Sequence, residues 1–424
     1  MNATGEFGPE LRRRRSEQGI SLRDLAVQVH CNAGYLSRVE RGLRQPSAII
    51  ARMCDRAVSA DGALLALMTQ PVPVGAAHAR PELPAPRPAT FLVRSFERAA
   101  SGATVLTDDH KNTVDEARSL FQVLRAQGHV SAPRALLPAL AIQFGMLRAA
   151  AAQAGGAEWD RLVLLAAHYA EYAGWMIQEC GDDAGALAMT ELAAALAKQA
   201  GDVSFVSYTL LRRADVALYN DDGAAVVALA EDASAGSASL RVQALAAQRA
   251  AQGWALLGRA PQCRSALARA ADATAAADAE AVKTGIDSAL GPGGGGQLMD
   301  VVRGWCYLDL GVPEQAVESL HTGLRRAPRS ARRARALYGI RLALAHAVSG
   351  DLRRTCEAGT VALDEASRVD SASVRHQLHT LATVVRRWPE VADIRDFRIR
   401  IDHELRPSPV SSRSSADRTV SSRG

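Results

Sequence analysis

The chain has 424 residues, a formal net charge of +5 and a pI near 9.0. That length allows two or three domains with ample core. No run approaches the roughly 18 apolar residues that a membrane span needs, and Met1 to Glu6 lack the apolar core of a secretory signal. Cys31, Cys54, Cys180, Cys263, Cys306 and Cys356 form no CxxC pair and read as small core residues in a reducing compartment. The expectation is a soluble, cytoplasmic protein. Net charge is weak evidence of a nucleic-acid partner, because lysine occurs only at Lys111, Lys198 and Lys283 and the arginine and alanine skew fits a GC-rich coding bias.

The first seventy residues predict five short helices around one small apolar centre. Ser21 precedes an apolar-periodic run and has Asp24 three residues on, an N-cap with an acidic first turn. Leu25 and Val29 follow on one face, with the small Ala26 beside them. Asn32 is a second N-cap candidate, Leu36 and Val39 continue the buried face, and Gly42 ends that helix as a residue that tolerates positive φ. Pro46-Ser47 restarts a helix with Ile50, Met53, Cys54 and Ala57 inward. Asp61 begins a last one with Leu64, Leu65 and Met68 inward.

The Gly19-Ile20-Ser21 turn, the Asp24-Leu25-Ala26 core and Leu36-Ser37-Arg38-Val39-Glu40-Arg41-Gly42 resemble the phage-repressor-like Xre family of helix-turn-helix regulators. The resemblance implies that the third helix reads double-stranded DNA, with Ala33, Gly34, Ser37 and Arg38 at the base-contacting positions. It places Ser21, Arg41 and Arg44 near phosphates and pairs Arg15 with Glu40 as a structural contact. Where that family usually has glycine between the second and third helices, this chain has His30-Cys31; histidine enters the left-handed region at modest cost. Arg38 is the one long donor on the reading helix before Glu40, and arginine bidentate to guanine is the commonest specific contact. Ala33 and Gly34 offer almost no hydrogen bonding, so much of the affinity should come from phosphates and fall steeply with salt.

Between Pro71 and Pro88 six prolines favour extended polyproline II and read as a semi-stiff linker separating the DNA-reading helices from the remainder of the chain. From Phe91 the chain is alanine-, leucine- and arginine-rich with helical stops at Gly128, Gly155-Gly156, Gly181-Asp182, Asn220 to Asp222, Gly258, Gly311 and Gly350-Asp351. Thr113 to Ala126 and Arg134 to Ala154 are expected helices. Beyond them runs a recurrence of roughly forty residues: Ala251, Trp254, Gly258, Cys263, Leu267 and Ala270 are echoed by Gly304, Tyr307, Gly311, Ala316, Leu320 and Gly323. These positions resemble degenerate tetratricopeptide repeats over about 160–370, with Thr190 and Gly359 standing where that pattern has bulkier groups. Gly285 to Gly296 reads as a flexible loop, without the GK[ST] of a phosphate-cradling loop. The expected organisation is a DNA-binding domain at 1–70, a linker at 71–90, an all-α repeat domain at 91–405 forming an α-solenoid, and a disordered tail at 406–424.

Stacked helical pairs present one face of each first helix as a concave wall. The repeat frame puts His168, Glu171, Trp175, Gln178, Tyr208, Asp215, Gln248, Gln252 and Trp305 there, a mixture suited to gripping a peptide or protein. The same tryptophans serve equally well as inter-repeat core, with the glutamines solvated. His376 and His379 lie three apart without a third ligand, so no metal site is expected. The Arg325–Arg335 cluster reads as a solvated face. No GxSxG, HExxH or Walker pattern occurs and no cofactor is implied, so an enzyme is not expected. The expectation is a homodimeric, sequence-specific regulator whose repeats sense a ligand, or alternatively a DNA-localised scaffold whose repeats recruit another protein.

Overall fold

The computed structural model describes residues 7–31, 33–44, 46, 48–69, 90–102, 110–235, 239–284 and 295–406. Among them lie twenty helices and no strand. The proline-rich linker, the candidate cap Asn32, most of the glycine-rich loop and the tail beyond Arg406 fall outside the described residues. Gly295 and Gly296, expected in that loop, instead open a helix.

The N-terminal unit consists of α1 (Phe7–Glu17), α2 (Leu22–Gln28), α3 (Ala33–Glu40), α4 (Ala48–Ala57) and α5 (Ala63–Thr69). Ser21 caps α2: its Oγ accepts the Asp24 N–H at 3.1 Å and donates to Asp24 Oδ2 at 2.6 Å, satisfying a donor left over at the helix start. His30 turns the chain into α3 at φ +46° and Gly42 ends α3 at φ +69°. Phe7, Leu11, Leu25, Val29, Leu36, Val39, Ile50, Cys54 and Leu64 form the buried centre, whereas Ala57 and Met68 are only partly covered. Gly8 is required by close approach, since a Cβ there would stand 2.8 Å from the Glu40 carbonyl oxygen. Asp55 is buried and accepts the N–H groups of Gly62 at 2.7 Å and Leu64 at 2.9 Å, which holds the α4–α5 turn. Burial pushes its carboxyl up, and those N–H groups oppose the shift.

The rest is an α-solenoid. Three helices, α6 (Phe91–Ser101), α7 (His110–Gly128) and α8 (Pro133–Ala151), lead into hairpins. These are α9 (Gly156–Glu179) with α10 (Asp183–Gln199), α11 (Val203–Tyr219) with α12 (Gly223–Ser234), and α13 (Leu240–Leu256) with α14 (Ala260–Thr284). They continue as α15 (Gly295–Asp309) with α16 (Pro313–Arg326), α17 (Arg332–Val348) with α18 (Leu352–Ala366), and α19 (Ala372–Val385) with α20 (Ala392–Glu404). Asp182, Asp202, Asp222 and Asp351 each accept the N–H three residues ahead and so start a helix. Small residues on the first helices sit beneath the second: a Cβ on Gly174 would stand 3.1 Å from Met189 Cβ, and one on Gly304 would stand 2.6 Å from Leu320 Cγ.

At Gly359, where the repeat pattern has a bulkier group, the Phe397 ring of α20 occupies the space a side chain would fill. One expectation needs correction. The Arg325–Arg335 cluster is not a uniformly solvated face. Arg333 is buried, donating to Glu179 Oε2 at 3.1 Å and to the carbonyls of Gly128 at 2.9 Å and Ser131 at 3.0 Å. Arg326 pairs with Asp300 at 2.6 Å and Arg335 with Glu365 at 3.4 Å.

The N-terminal unit does not hang free of the stack. Arg259 Nη1 donates to the Asp61 carbonyl at 2.6 Å, Arg56 Nη1 to the Gly311 carbonyl at 3.1 Å, and Arg387 Nη1 to the His30 carbonyl at 3.1 Å. Gly258 and Gly311, at the tips of successive hairpins, adopt φ of +71° and +74° and receive Leu65 and Met53 against their backbone. The unit therefore rests on the hairpin turns. Enlarging Gly359 tests the stack: Gly359→Val should cost about 1–3 kcal/mol by overpacking, and adding Phe397→Leu should recover part of the loss. A thermal melt in which the single variant matches the parent would contradict the placement of Phe397.

Candidate nucleic-acid interface and ligand cavity

On α3, the apolar Leu36 and Val39 turn inward, which leaves the opposite side outward. Gly34 and Arg38 are exposed there, and Ala33 and Ser37 are half-buried. Arg41 and Arg44 lie exposed just past the helix end; Arg41 Nε donates to the Ser37 carbonyl at 3.1 Å, and the Arg44 guanidinium sits 5.1 Å from the Tyr35 ring centre. Ser21 is exposed at the start of α2. The stack touches this unit at α4, at the α4–α5 turn and at the turn before α3, and Gly34 and Arg38 stay uncovered.

The tilt of α3 is set from behind by Arg15. Its Nε and Nη2 donate to the two Glu40 carboxylate oxygens at 2.6 and 3.1 Å, and Nη1 donates to the Ile20 carbonyl at 2.8 Å. One guanidinium thus ties α1, the approach to α2 and the last turn of α3. A planar fork matched to a carboxylate fixes orientation as well as distance. Glu40 is only 7% exposed.

Within the stack, a cavity of about 180 Å³ is walled by the first helices of successive hairpins. Seven of the expected groove residues line it: Glu171, Trp175, Gln178, Tyr208, Asp215, Gln252 and Trp305. Gln248 does not. It is fully buried and its Nε2 donates to Thr274 Oγ1 at 3.3 Å, so it faces α14. His168 also misses the cavity: it lies between the Phe121 and Phe205 rings, at 6.0 and 4.4 Å, and burial pushes it down to about 4.

The repeat frame missed the arginines. Arg212 pairs with Glu171 Oε1 at 2.9 Å and donates to Gln178 Oε1 at 3.1 Å, and both Arg212 and Arg249 bond Asp215. Arg249 Nη1 also reaches Gln252 Oε1 at 2.8 Å, and Tyr208 donates to Glu171 at 3.3 Å. The available signal was the pairing of Arg212 with Asp215 and of Arg249 with Gln252 three residues apart on one helix. Burial pushes the Glu171 carboxyl up, and the Arg212 charge opposes this. Two donors remain without a partner among the described residues, Gln178 Nε2 and Trp305 Nε1. With the faces of Trp175, Tyr219 and Trp305, they suit a ligand carrying acceptors and flat or apolar parts.

Residues 6–68 match the family described as a helix-turn-helix domain, roughly a seventh of the chain. No curated protein matches the chain. The helix-turn-helix domain suggests a DNA-binding regulator rather than an enzyme. No helix among the described residues is long and apolar enough to cross a membrane. Among those residues, no cluster of three or more His, Cys, Asp and Glu groups could hold a metal ion. His376 and His379 lie exposed on α19.

Because Arg15 is left largely covered when its partner is removed, Glu40→Ala should destabilise the N-terminal unit by about 3 kcal/mol. Faster amide exchange confined to α1 through α5 is the expected signature. Unchanged protection of α3 would show that the pair does not hold it.

Proposed function

We propose that this chain is a sequence-specific transcriptional regulator of the Xre type. In this reading α3 enters the DNA major groove, with Ala33, Gly34, Ser37 and Arg38 toward base edges and Ser21, Arg41 and Arg44 toward phosphates. Residues 1–70 are the reader, 71–90 the linker, 91–405 a tetratricopeptide-like repeat domain and 406–424 a tail. The observation that carries the reading is the exposed strip Gly34–Arg38–Arg41 on a helix clamped from behind by Arg15 and Glu40. Two copies holding their readers roughly 34–36 Å apart would fit a pseudo-palindromic site. The chain then works as a homodimer on duplex DNA.

The cavity supplies the sensing half of the proposal. Trp175, Tyr208, Gln252 and Trp305 come from four different helices, so an occupant that bridges them changes how those helices sit. A peptide fits the unpartnered Gln178 and Trp305 donors because its backbone carbonyls are acceptors spaced along a chain. Such an occupant alters DNA binding only through unequal affinity for the two arrangements of the stack.

Arg38→Ala should relax discrimination at one base pair per half-site and cost about 1–3 kcal/mol of specific binding. Arg41→Ala should weaken all sequences alike and flatten the salt dependence. Binding-site selection on the purified variants checks both, and an unchanged preference for Arg38→Ala would remove α3 from its place as the reader. For sensing, footprints of the full chain with and without a library of short peptides should differ. Indifference to every peptide, with a protein co-purifying stoichiometrically on the stack, would favour the scaffold reading instead.

A further inference from the structure

A second cleft, of about 280 Å³, lies where the N-terminal unit meets the stack. Arg52 of α4 forms one wall, Trp305 and Asp309 of α15 and Arg341 of α17 line its interior, and His376 and His379 of α19 stand at its exposed rim. The four interior residues are 7%, 4%, 2% and 4% exposed in that order.

These four side chains are only partly satisfied. Arg341 donates to Asp309 Oδ1 at 2.8 Å, to Gln377 Oε1 at 3.0 Å and to the Trp305 carbonyl at 3.2 Å, and its guanidinium lies 3.7 Å from the Trp305 ring centre. Arg52 Nη2 approaches the same Asp309 oxygen only to 3.7 Å. Arg52 Nε, Arg341 Nε, Trp305 Nε1 and Asp309 Oδ2 have no partner among the described residues. A buried polar group left unbonded costs about 1–3 kcal/mol, and more when charged. Three of these four groups, on Arg52, Arg341 and Asp309, belong to this cleft and not to the aromatic cavity, and mark a site built for an occupant. Two guanidinium groups face one buried carboxylate, so the interior carries a net positive charge; the other lining carboxylate, Asp221, is exposed.

We propose that this cleft binds a small oxyanion, a phosphate or carboxylate that also carries a hydroxyl. Arg52 Nε and Arg341 Nε take the anionic oxygens, and Asp309 Oδ2 takes the hydroxyl proton. Monohydrogen phosphate and hydroxycarboxylates both present that pattern of acceptors and one donor. The two histidines add donors at the mouth, and the volume leaves room for a group beyond the anion. The occupant touches α4 on one side and α15 and α17 on the other, so it fastens the N-terminal unit to the stack. The site shares Trp305 with the aromatic cavity, but its anion contacts come from Arg52, Arg341 and Asp309, which line this cleft and not that cavity, so it does not rest on the role given there.

Titrating the full chain with inorganic phosphate, and separately with citrate, against sodium chloride of equal ionic strength tests the assignment by calorimetry and tryptophan fluorescence. The expected result is a saturable response to at least one of the two, with a rise in thermal midpoint that tracks occupancy. Saturation by phosphate alone would support a phosphoryl ligand, and by citrate alone a hydroxycarboxylate. Arg52→Gln should weaken binding about tenfold or more, and His379→Ala, at an exposed position that folding tolerates, a few-fold. Arg41→Ala and Tyr208→Phe, at the α3 face and in the aromatic cavity, should bind as the parent does, which separates this site from both. No saturable response to either anion, or equal affinity in Arg52→Gln and His379→Ala, would overturn it.

Discussion

Alanine and glycine at the helix crossings bring the hairpins of the stack close together, and much of the space left along their inner wall is occupied by arginine. Arg212 and Arg249 share Asp215, Arg333 meets Glu179, and Arg341 meets Asp309. A guanidinium taken out of water costs several kcal/mol unless an opposite charge and further hydrogen bonds meet it. Each of these carboxylates is therefore pinned in position, and with it the helix that bears it. A core of leucine would have been indifferent to small rotations of the hairpins; paired charges with fixed geometry are not. Glu179 shows the point, since Ser371 and Ser373 bond the same carboxylate that receives Arg333, joining α9 to α17 and α19.

The same constraint shapes both open spaces. Trp305 lines the aromatic cavity and the junction cleft alike, and Asp309, one helical turn further along α15, lies 3.7 Å from Arg52 of the N-terminal unit. Tyr219 lies between them, 6.1 Å from the Trp305 ring and 6.2 Å from the His376 ring. A shift of α15 cannot change one space without changing the other, because packed interiors do not deform continuously. The geometry therefore supplies a short physical connection between the wall of the stack and the unit that carries α3.

What could be read from the sequence was local. Ser21 with Asp24, the inward Leu25, Val29 and Leu36, the His30 turn and the glycine or Asp/Asn stops between paired helices all depend on neighbours within one turn, and periodicity reports them. The inner-wall residues were legible for the same reason: a repeat frame places Glu171, Tyr208, Gln252 and Trp305 on equivalent faces, and they meet around one cavity. Gln248 fails although it lies only one turn from Gln252, because its amide is turned to Thr274 on the second helix of its own hairpin. What stayed hidden was long-range. Nothing near Arg56, Arg259 or Arg387 announces a partner across the chain, and Gly359 looks like a defect until Phe397 is in view. Expecting the proline-rich segment to hold the two parts asunder likewise overlooked these contacts.

Three arginines secure the N-terminal unit to the hairpin turns by bonding main-chain oxygens, those of Gly311, Asp61 and His30, and one of them, Arg387, also reaches Cys31 Sγ at 3.1 Å. A carbonyl is present whatever residue bears it, so these three bonds recognise the path of the backbone and not the residue that supplies the oxygen. At each of them the acceptor can change under mutation as long as its turn keeps its shape, whereas the guanidinium has no such substitute. Evolutionary pressure on these three bonds therefore falls on the arginine.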